Sequence, residues 1–272
     1  SLELIHDAGY RVVKGANELF YRIENAPIDL LRVRDDDIPT FVGDGVADLG
    51  IVGRNVLAEC EHDDAEPIEV MALAFGRCDL KIAAPVGMSY PGPGALNGLR
   101  IATSYPRVLA QFLSDNGVEA EIVVMRGAVE VAPRLKLANV ICDLVSTGAT
   151  LESNGLAAVE TVLRSEAVLI RAPKPPAPDL APVVDSVVQR FRGVTASQGA
   201  KYVMMNAPRA VLPLITDILP GADAPTVMAL AGRDDTVAVH AVCQESVFWE
   251  TLERLKAAGA SSILVLPIEK MM

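Results

Sequence analysis

The sequence predicts an α/β protein with a two-lobed unit followed by a smaller C-terminal domain. Short apolar segments of strand length alternate with helix-length segments over residues 10–171, which is typical of βαβ units. Hydrophobic residues make up 51% of the 272 residues and aromatic residues only 4%, a composition that suits strands covered by helices on both faces. Over residues 199–272 the predicted order changes to βαββαβ, which marks the smaller domain.

The first lobe is predicted over residues 1–86, and the chain returns to it over residues 167–198. Its first residues have the pattern of the second half of an amphipathic helix that ends at Gly9. Since a βαβ unit places a strand before such a helix, we expect a further N-terminal segment that carries this strand. The apolar pattern then predicts two helices, the first capped by Asp35–Asp37, and five strands: helices 38–43 and 55–61, strands 10–14, 28–33, 48–52, 68–75 and 80–85.

The second lobe is predicted over residues 87–166, after a segment rich in Gly and Pro at residues 88–98. Pro106 stands at a first-turn position, where a helix tolerates proline. The alternation predicts parallel sheets with right-handed crossovers. The expected elements are strands 100–104, 120–125 and 140–145 and helices 106–116, 128–135 and one beginning at residue 151. After them the chain returns to the first lobe with a strand at 167–171 and a helix at 183–192.

The C-terminal domain, residues 199–272, is predicted to be ferredoxin-like. Small domains of this kind often sense ligands, although a fold alone does not establish a function. Its expected elements are strand 201–206, helix 209–219, strands 227–231 and 236–242, helix 246–258 and strand 262–267.

Composition excludes several classes of function. A net charge of −11 with only 24 Lys and Arg gives no general attraction for nucleic acid or anionic lipid. The apolar runs are too short to span a bilayer, and no charged-then-apolar leader opens the sequence, so we expect a cytoplasmic protein without membrane partners. The four cysteines and three histidines are scattered, which predicts reduced structural thiols and argues against a zinc site or a Ser-His-Asp triad.

The segment that follows the strand at 140–145 carries the strongest chemical signal. Hydroxyl and small side chains lead from this strand into a helix, where free N–H groups, hydroxyls and a glycine can cradle a phosphate: Ser146, Thr147, Gly148, Ala149 and Thr150. Asp143, at the carboxyl end of the strand, could accept hydrogen bonds from ribose hydroxyls. The alternative is a capped strand–helix turn without a ligand.

Other candidate residues stand at the ends of predicted elements. Glu130 lies in a predicted first helical turn, where the helix dipole favours a carboxylate that could face the ribose or the substrate amine, with an ordinary first-turn Glu as the alternative. Three residues end a strand at a helix start and form a candidate nucleotide wall, with a helix N-cap as the alternative: Thr103, Ser104 and Tyr105. Arg54 is a candidate phosphate contact. Gly50 and Gly53 are expected to relieve packing at a sheet edge, and Asp35–Asp37 to form a helix cap with a solvated face rather than a metal cluster.

The loop DLVSTGATLxxNGL, which begins at Asp143, resembles the phosphoribosyl pyrophosphate loop of the ATP phosphoribosyltransferase family, the first enzyme of histidine biosynthesis. Further segments resemble the two lobes of that family: residues 31–39, 45–53, 100–106 and 127–133. Residues 259–268 resemble the regulatory domain of its long form. The resemblance therefore covers essentially the whole chain.

The resemblance implies a periplasmic-binding-protein-like catalytic unit in which N1 of ATP attacks C1 of phosphoribosyl pyrophosphate and pyrophosphate leaves. Mg²⁺, carried by the substrate, would bridge the diphosphate. Glu130 and Asp143 are the implied catalytic residues. Phosphoribosyl pyrophosphate would bind at Asp143, Leu144, Val145, Ser146, Thr147, Gly148, Ala149 and Thr150, and the nucleotide at Glu130, Thr103, Ser104, Tyr105 and Arg54.

The resemblance also implies feedback inhibition by L-histidine, with AMP as a second candidate ligand. Candidate histidine contacts are Thr226, Ser261 and Ser262, for which plain turn residues are the alternative. The family further implies a homo-oligomer, a hexamer of dimers.

Two other classes fit the two-lobed plan. A solute-binding protein or the effector domain of a transcription regulator would bind a ligand without chemistry, but the sequence lacks a leader and a basic face. A non-catalytic regulatory subunit is the third alternative. The loop with both hydroxyls and glycine favours the enzyme.

Overall fold

The computed structural model describes residues 1–14, 19–60, 66–146, 148–219 and 224–271. The chain divides into two compact units. The smaller contains residues 1–13, 23–27 and 185–272, and the larger contains residues 14–22 and 28–184. The lobe boundaries drawn from the sequence stay a prediction.

The elements up to residue 171 alternate between short strands and short helices. In chain order they are α1 Leu2–Asp7, β1 Val12–Lys14, β2 Phe20–Ile23, β3 Asp29–Leu31, α2 Ile38–Gly43, β4 Leu49–Gly53, α3 Arg54–Glu59, β5 Ile68–Ala72, β6 Cys78–Pro85, β7 Arg100–Thr103, α4 Pro106–Asp115, β8 Glu121–Val124, β9 Val140–Val145, α5 Ala149–Ser153, β10 Leu156–Ser165 and β11 Ala167–Arg171.

The remaining elements begin with the longest helix of the described chain. They are α6 Ala181–Ser197, β12 Ala200–Pro208, α7 Leu212–Ile218, β13 Thr226–Leu230, β14 Arg233–Gln244, α8 Glu245–Ala257 and β15 Ser261–Pro267. Among the described residues, no helix is long and apolar enough to cross a membrane.

The larger unit contains a five-stranded sheet of order β10-β6-β9-β7-β8 and a three-stranded sheet of order β4-β11-β5. Strand β7 runs parallel to β8 and β9, whereas β6 is antiparallel to both of its neighbours. In the smaller sheet, β11 is antiparallel to β4 and β5. The prediction of parallel sheets is therefore wrong for these pairings. Strand β6 follows β5 without a helix in between, so it does not belong to a right-handed βαβ crossover.

Apolar side chains cover both faces of the five-stranded sheet. On one face, Leu80, Ile82 and Cys142 pack with Leu109 of α4. On the other face, residues such as Ala83, Ile141 and Val129 pack with Leu151 of α5. The strands are apolar on both sides because helices and turns cover both faces.

The C-terminal sheet has the order β13-β14-β12-β15, and each of its pairings is antiparallel. Side chains of α7 and α8, including Ile215 and Leu255, pack against Val203, Met205 and Val239 of the sheet. The predicted βαββαβ order is confirmed.

Two local predictions fail for identifiable reasons, and a third holds only in part. The helix expected over residues 128–135 is only a 3₁₀ turn at Val129–Val131, because Pro133 has no N–H with which to continue the helical hydrogen bonds. The helix expected from residue 151 is a single turn, α5, and Gly155 at φ +69° lets the chain turn into β10, which the sequence analysis missed. The expectation for Asp35–Asp37 holds in part, because these residues are exposed and Asp37 takes the N-cap position of α2, but its side chain makes no capping hydrogen bond.

Candidate active site

Asp143 lies near the end of β9, where the apolar strand meets the predicted phosphate loop. Its Oδ1 accepts the N–H of Leu144 at 2.8 Å. Burial raises the pKa of the Asp143 carboxyl, the Leu144 N–H opposes that shift, and the charge of Glu130 adds to it. The structure therefore brings these two predicted catalytic carboxylates within electrostatic range of each other.

Glu130 sits in the 3₁₀ turn Val129–Val131, which packs against β9. Ala128, just before this turn, adopts a left-handed backbone conformation at φ +49°. Such a conformation is unfavourable for a residue with a side chain, and it is typical of functional sites. The half-buried Glu130 is thus held by a strained turn rather than by the helix that the sequence predicted.

The candidate phosphate loop leaves β9 with exposed small residues. Ser146, Ala149 and Thr150 are exposed, and Gly148 at φ +82° supplies the left-handed backbone from which α5 starts. Leu144 and Val145 anchor the strand end, one on each side of the sheet. Thr147 lies outside the described residues.

Thr103 and Tyr105 are engaged in contacts within the protein. The Thr103 hydroxyl, fully buried, accepts the N–H of Tyr105 at 2.9 Å and hydrogen-bonds with the Cys142 thiol, whose pKa burial raises to about 12. Ser104, which stands between these two residues in the sequence, is half-buried. Burial raises the pKa of Tyr105, and the charges of Asp143 and Asp36 add to this effect. Tyr105 therefore lies near Asp143, while Thr103 acts as a structural hydrogen-bond acceptor.

Asn55 is a polar residue of the site that the sequence analysis missed. Its side chain is 6% exposed, and its Nδ2 donates to the Tyr105 hydroxyl at 2.9 Å. The Ser165 hydroxyl accepts the Asn55 N–H at 3.0 Å and donates to Asn55 Oδ1 at 2.7 Å. This chain of bonds joins α3, the end of β10 and the start of α4. Asn55 and Ser165 are 110 residues apart, so no local sequence signal could pair them.

Glu59 caps α4 from the neighbouring helix α3. Its carboxylate accepts the N–H groups of Arg107 and Val108 at 2.9 to 3.1 Å, and Arg107 Nη1 donates to the Cys60 carbonyl at 2.7 Å. These are early N–H groups of a helix that begins at Pro106, so they have no partner within the helix. A carboxylate at this position also complements the helix dipole.

Arg54 is occupied by carboxylates. Its Nε and Nη2 donate to both oxygens of Glu69 at 3.0 and 2.8 Å, and Nη1 lies 3.6 Å from Glu166. The Glu69 hydrogen bond is the largest cause of the raised pKa of Arg54. The two-pronged pair gives Arg54 a structural role, and its contact with a nucleotide stays a prediction.

Metal ligands are sparse around these residues. Within the described ranges, no group of three or more His, Cys, Asp or Glu side chains is placed to hold a metal ion. The pair of Asp143 and Glu130 offers fewer oxygens than the six that Mg²⁺ prefers. A divalent ion there would need phosphate and water oxygens to complete its ligands.

The three candidate histidine contacts do not meet within one chain. Thr226 begins β13 and Ser261 begins β15, at opposite edges of the four-stranded sheet. Three strand spacings separate these edges, about 14 Å. Ser262, next to Ser261, has a left-handed backbone at φ +50°, and all three residues are exposed.

The arrangement is that of an α/β protein with a loop of small residues beside two carboxylates at a strand end. The family model for ATP phosphoribosyltransferase matches residues 34–193, and the model described as "HisG, C-terminal domain" matches residues 197–270. The chain belongs to the ATP phosphoribosyltransferase family, in its long form with the C-terminal domain.

Individual relatives agree with the family models. The ATP phosphoribosyltransferase of Maricaulis maris (strain MCS10) is 55% identical over 274 residues, which cover 100% of this chain and 93% of the relative. The ATP phosphoribosyl transferase (HisG:HisZ) complex from Thermotoga maritima is similar in structure, with a TM-score of 0.58 and 25% identity, over 70% of this chain and 92% of that chain. The expected two-lobed fold class is confirmed.

Family membership establishes the activity. The chain is a pentosyltransferase that uses ATP and phosphoribosyl pyrophosphate as substrates and carries out the first step of histidine biosynthesis. The reaction joins the phosphoribosyl group to ATP with release of pyrophosphate, as the resemblance of the loop implied.

Proposed function

We propose that phosphoribosyl pyrophosphate binds at Asp143–Thr150, with its 5′-phosphate on the loop and its ribose against Asp143 and Glu130. The observation that supports this most is the position of Asp143, half-buried at the strand end from which the exposed loop departs and within electrostatic range of Glu130. Backbone N–H groups, a left-handed glycine and hydroxyls are the groups that hold phosphate in an acidic protein.

In this proposal the protein contributes electrostatics and positioning. N1 of the adenine attacks C1 of the ribose, the bond between C1 and the diphosphate oxygen breaks, and C1 gains positive character in the transition state. The carboxylates of Asp143 and Glu130 accept hydrogen bonds from ribose hydroxyls and stabilise that charge. The loop fixes the 5′-phosphate so that C1 faces the nucleotide.

Mg²⁺ is proposed to arrive with the diphosphate of the substrate. When bound, it neutralises charge on the departing pyrophosphate. The oxygen ligands that Mg²⁺ prefers would come from the diphosphate and from water rather than from protein side chains.

The nucleotide is proposed to lie along Thr103–Tyr105 beside Glu130. Ser104 and Tyr105 would contact it, whereas Thr103 and Arg54 would hold the surrounding structure, because their polar atoms already have partners. Contact of ATP with Tyr105 would place the adenine on the side of the site that faces Asp143.

Replacement of the loop hydroxyls tests the phosphate site. In the double variant Thr147→Val, Thr150→Val, we expect phosphoribosyl pyrophosphate to bind about tenfold more weakly or worse, with ATP affinity and melting temperature retained. Thr216→Val is the matched control, because its exposed hydroxyl bonds only within α7 in the C-terminal domain. If the double variant binds phosphoribosyl pyrophosphate as tightly as the parent, the loop hydroxyls do not hold the 5′-phosphate and the loop assignment is wrong.

Feedback inhibition by L-histidine through the C-terminal domain is the second part of the proposal. Because Thr226 and Ser261–Ser262 lie at opposite edges of one sheet, a single histidine can touch all of them only between two copies of the domain. Histidine binding would therefore depend on the proposed assembly, a hexamer of dimers, and AMP is a further ligand to examine. Cytoplasmic location stays a prediction.

Light scattering with and without histidine separates the outcomes. Larger species on addition of histidine, lost in Thr226→Ala and retained in Thr216→Ala, support the regulatory proposal. A monomer at every ligand concentration contradicts it.

A further inference from the structure

Lys81 is a charged residue in the middle of the five-stranded sheet. Strand β6 lies between β10 and β9, and its residues Leu80, Ile82, Ala83 and Ala84 are buried. The Lys81 side chain is only 27% exposed. A lysine in such a strand loses much of its hydration, so it needs a compensating interaction or a function.

The register places Lys81 on the same face as the candidate catalytic carboxylate. Lys81 is the direct cross-strand partner of Asp143, and Asp79 is the partner of Val145. Directly opposed residues in an antiparallel pair point to the same face, as do residues two apart in one strand. Asp79, Lys81, Asp143 and Val145 therefore share one face, the face that also carries Leu151 of α5.

The ammonium group lies toward the start of the phosphate loop. Lys81 Nζ is 3.2 Å from Asp79 Oδ2, and Asp79 stands opposite Val145, the last residue of β9. The lysine therefore extends from the level of Asp143 toward the level at which Ser146 begins the loop. This position is where an anion on the loop would meet a cation.

A positively charged side chain at this position would balance negative charges on this face of the sheet. Three carboxylates, those of Asp79, Asp143 and Glu130, lie on or beside this face, and phosphoribosyl pyrophosphate brings further negative charge. Without a cation, a phosphate on the loop would be repelled by these carboxylates. The Lys81 ammonium group lies next to Asp79 and on the strand opposite Asp143, so it would offset this repulsion.

We propose that Lys81 supplies a positively charged side chain to the 5′-phosphate subsite, apart from the Mg²⁺ that arrives with the diphosphate, and that Asp79 holds this lysine in place when the loop has no ligand. On binding, the ammonium group moves from Asp79 and donates hydrogen bonds to the 5′-phosphate. This inference rests on the proposed binding of phosphoribosyl pyrophosphate at the end of β9. It assigns a binding residue that lies more than 60 residues before the loop in sequence.

Binding measurements on Lys81→Met test the inference, with ribose 5-phosphate as a probe that carries only the 5′-phosphate. We expect Kd for phosphoribosyl pyrophosphate and for ribose 5-phosphate to rise about tenfold or more, with Kd for ATP unchanged. Lys81→Arg should recover most of the affinity. The dependence of binding on salt should weaken in Lys81→Met, because one ionic contact is lost.

Lys201→Met is the matched control. Lys201 is also a strand lysine paired with a carboxylate, 3.4 Å from Glu245, and its side chain is 23% exposed, but it lies in the C-terminal domain. Its loss should leave Kd for ribose 5-phosphate within about twofold of the parent value. If Lys81→Met does not fold, Asp79→Asn is measured instead. This variant removes the carboxylate that pairs with Lys81, so it should lower Kd for ribose 5-phosphate.

The loop and the lysine can fail separately. If Lys81→Met binds ribose 5-phosphate as tightly as the parent while the loop double variant does not, the loop proposal stands and the assignment of Lys81 is overturned. If Lys81→Met weakens binding and the loop variant does not, Lys81 holds the phosphate and the loop proposal fails. Unchanged ribose 5-phosphate binding in Asp79→Asn, where that variant carries the test, also overturns the assignment.

Discussion

At the scale of single residues, Asp143 combines low exposure with a charge that its surroundings disfavour. Burial and the charge of Glu130 raise the pKa of its carboxyl above the ordinary value of 3.8. The Asp143 carboxyl ionises more readily in the unfolded chain than in the folded protein. Above its raised pKa, the buried carboxylate therefore lowers the free energy of unfolding. Such a cost is common where a residue is kept for function.

We therefore expect Asp143→Asn to be more stable than the parent at neutral pH. The advantage should be fully present above the raised pKa and should vanish below the unfolded value of 3.8, where the parent carboxyl is protonated in both states. Chemical denaturation across pH measures the free energy of unfolding. In parallel, kcat should fall about 100-fold if the carboxylate stabilises charge in the transition state.

A parent protein more stable than Asp143→Asn at neutral pH would contradict this account of the carboxyl. Glu152→Gln is a suitable control, because Glu152 is exposed in α5 near the same loop.

The Tyr105 hydroxyl provides a second prediction at the residue scale. Tyr105→Phe removes the acceptor of the buried Asn55 amide, and an unpaired buried donor costs roughly 1–3 kcal/mol. Tyr90→Phe should cost less, because the Tyr90 hydroxyl meets Glu160 only at a long 3.4 Å. Urea denaturation of both variants compares these free energies. Equal losses would mean that the hydrogen bond from Asn55 adds no more stability than the long bond between Tyr90 and Glu160.

At the scale of elements, Gly50 shows how a small residue determines packing. A Cβ at this position would stand 2.7 Å from Ile38 Cγ2, 2.8 Å from Val42 Cγ2 and 3.1 Å from Ile170 Cγ1. These atoms belong to α2 and β11, which press on edge strand β4. The expectation from sequence that Gly50 relieves packing at a sheet edge is therefore confirmed.

Gly50→Ala should destabilise the protein by about 1–3 kcal/mol, because the added methyl group forces α2 away from β4. Gly94→Ala is the control, since Gly94 has no neighbour within 4 Å of an added Cβ. Thermal unfolding of the two variants provides the comparison. A Gly50→Ala protein as stable as Gly94→Ala would show that α2 adjusts without cost.

The elements that the sequence predicted well are those with local signals. Strand β9 and the loop after it follow from an apolar run that meets hydroxyl and glycine residues, and the C-terminal domain follows from its regular alternation. The failures involve contacts remote in sequence. The antiparallel setting of β6, the pairing of Asn55 with Ser165 and the register of Lys81 with Asp143 depend on how strands assemble, which no short window of sequence contains.

At the scale of the whole molecule, the family models divide the chain into a catalytic region at residues 34–193 and a C-terminal domain at residues 197–270. The C-terminal domain has its own apolar core, which includes Val203, Ile215 and Leu255. A domain with an independent core can bind a ligand and pass its effect to the catalytic unit through changes in population. This organisation is the physical basis for the proposed regulation by histidine.

The most direct test of the account is pyrophosphate release by the chain from ATP, phosphoribosyl pyrophosphate and Mg²⁺, followed with and without L-histidine. We expect release that requires all three components, that histidine suppresses and that is about 100-fold slower in Asp143→Asn. Release that continues without ATP would contradict the assigned reaction, as would the absence of release both from the folded chain and from a chain that also carries the expected N-terminal segment. Release that histidine leaves unchanged would contradict the regulatory proposal alone.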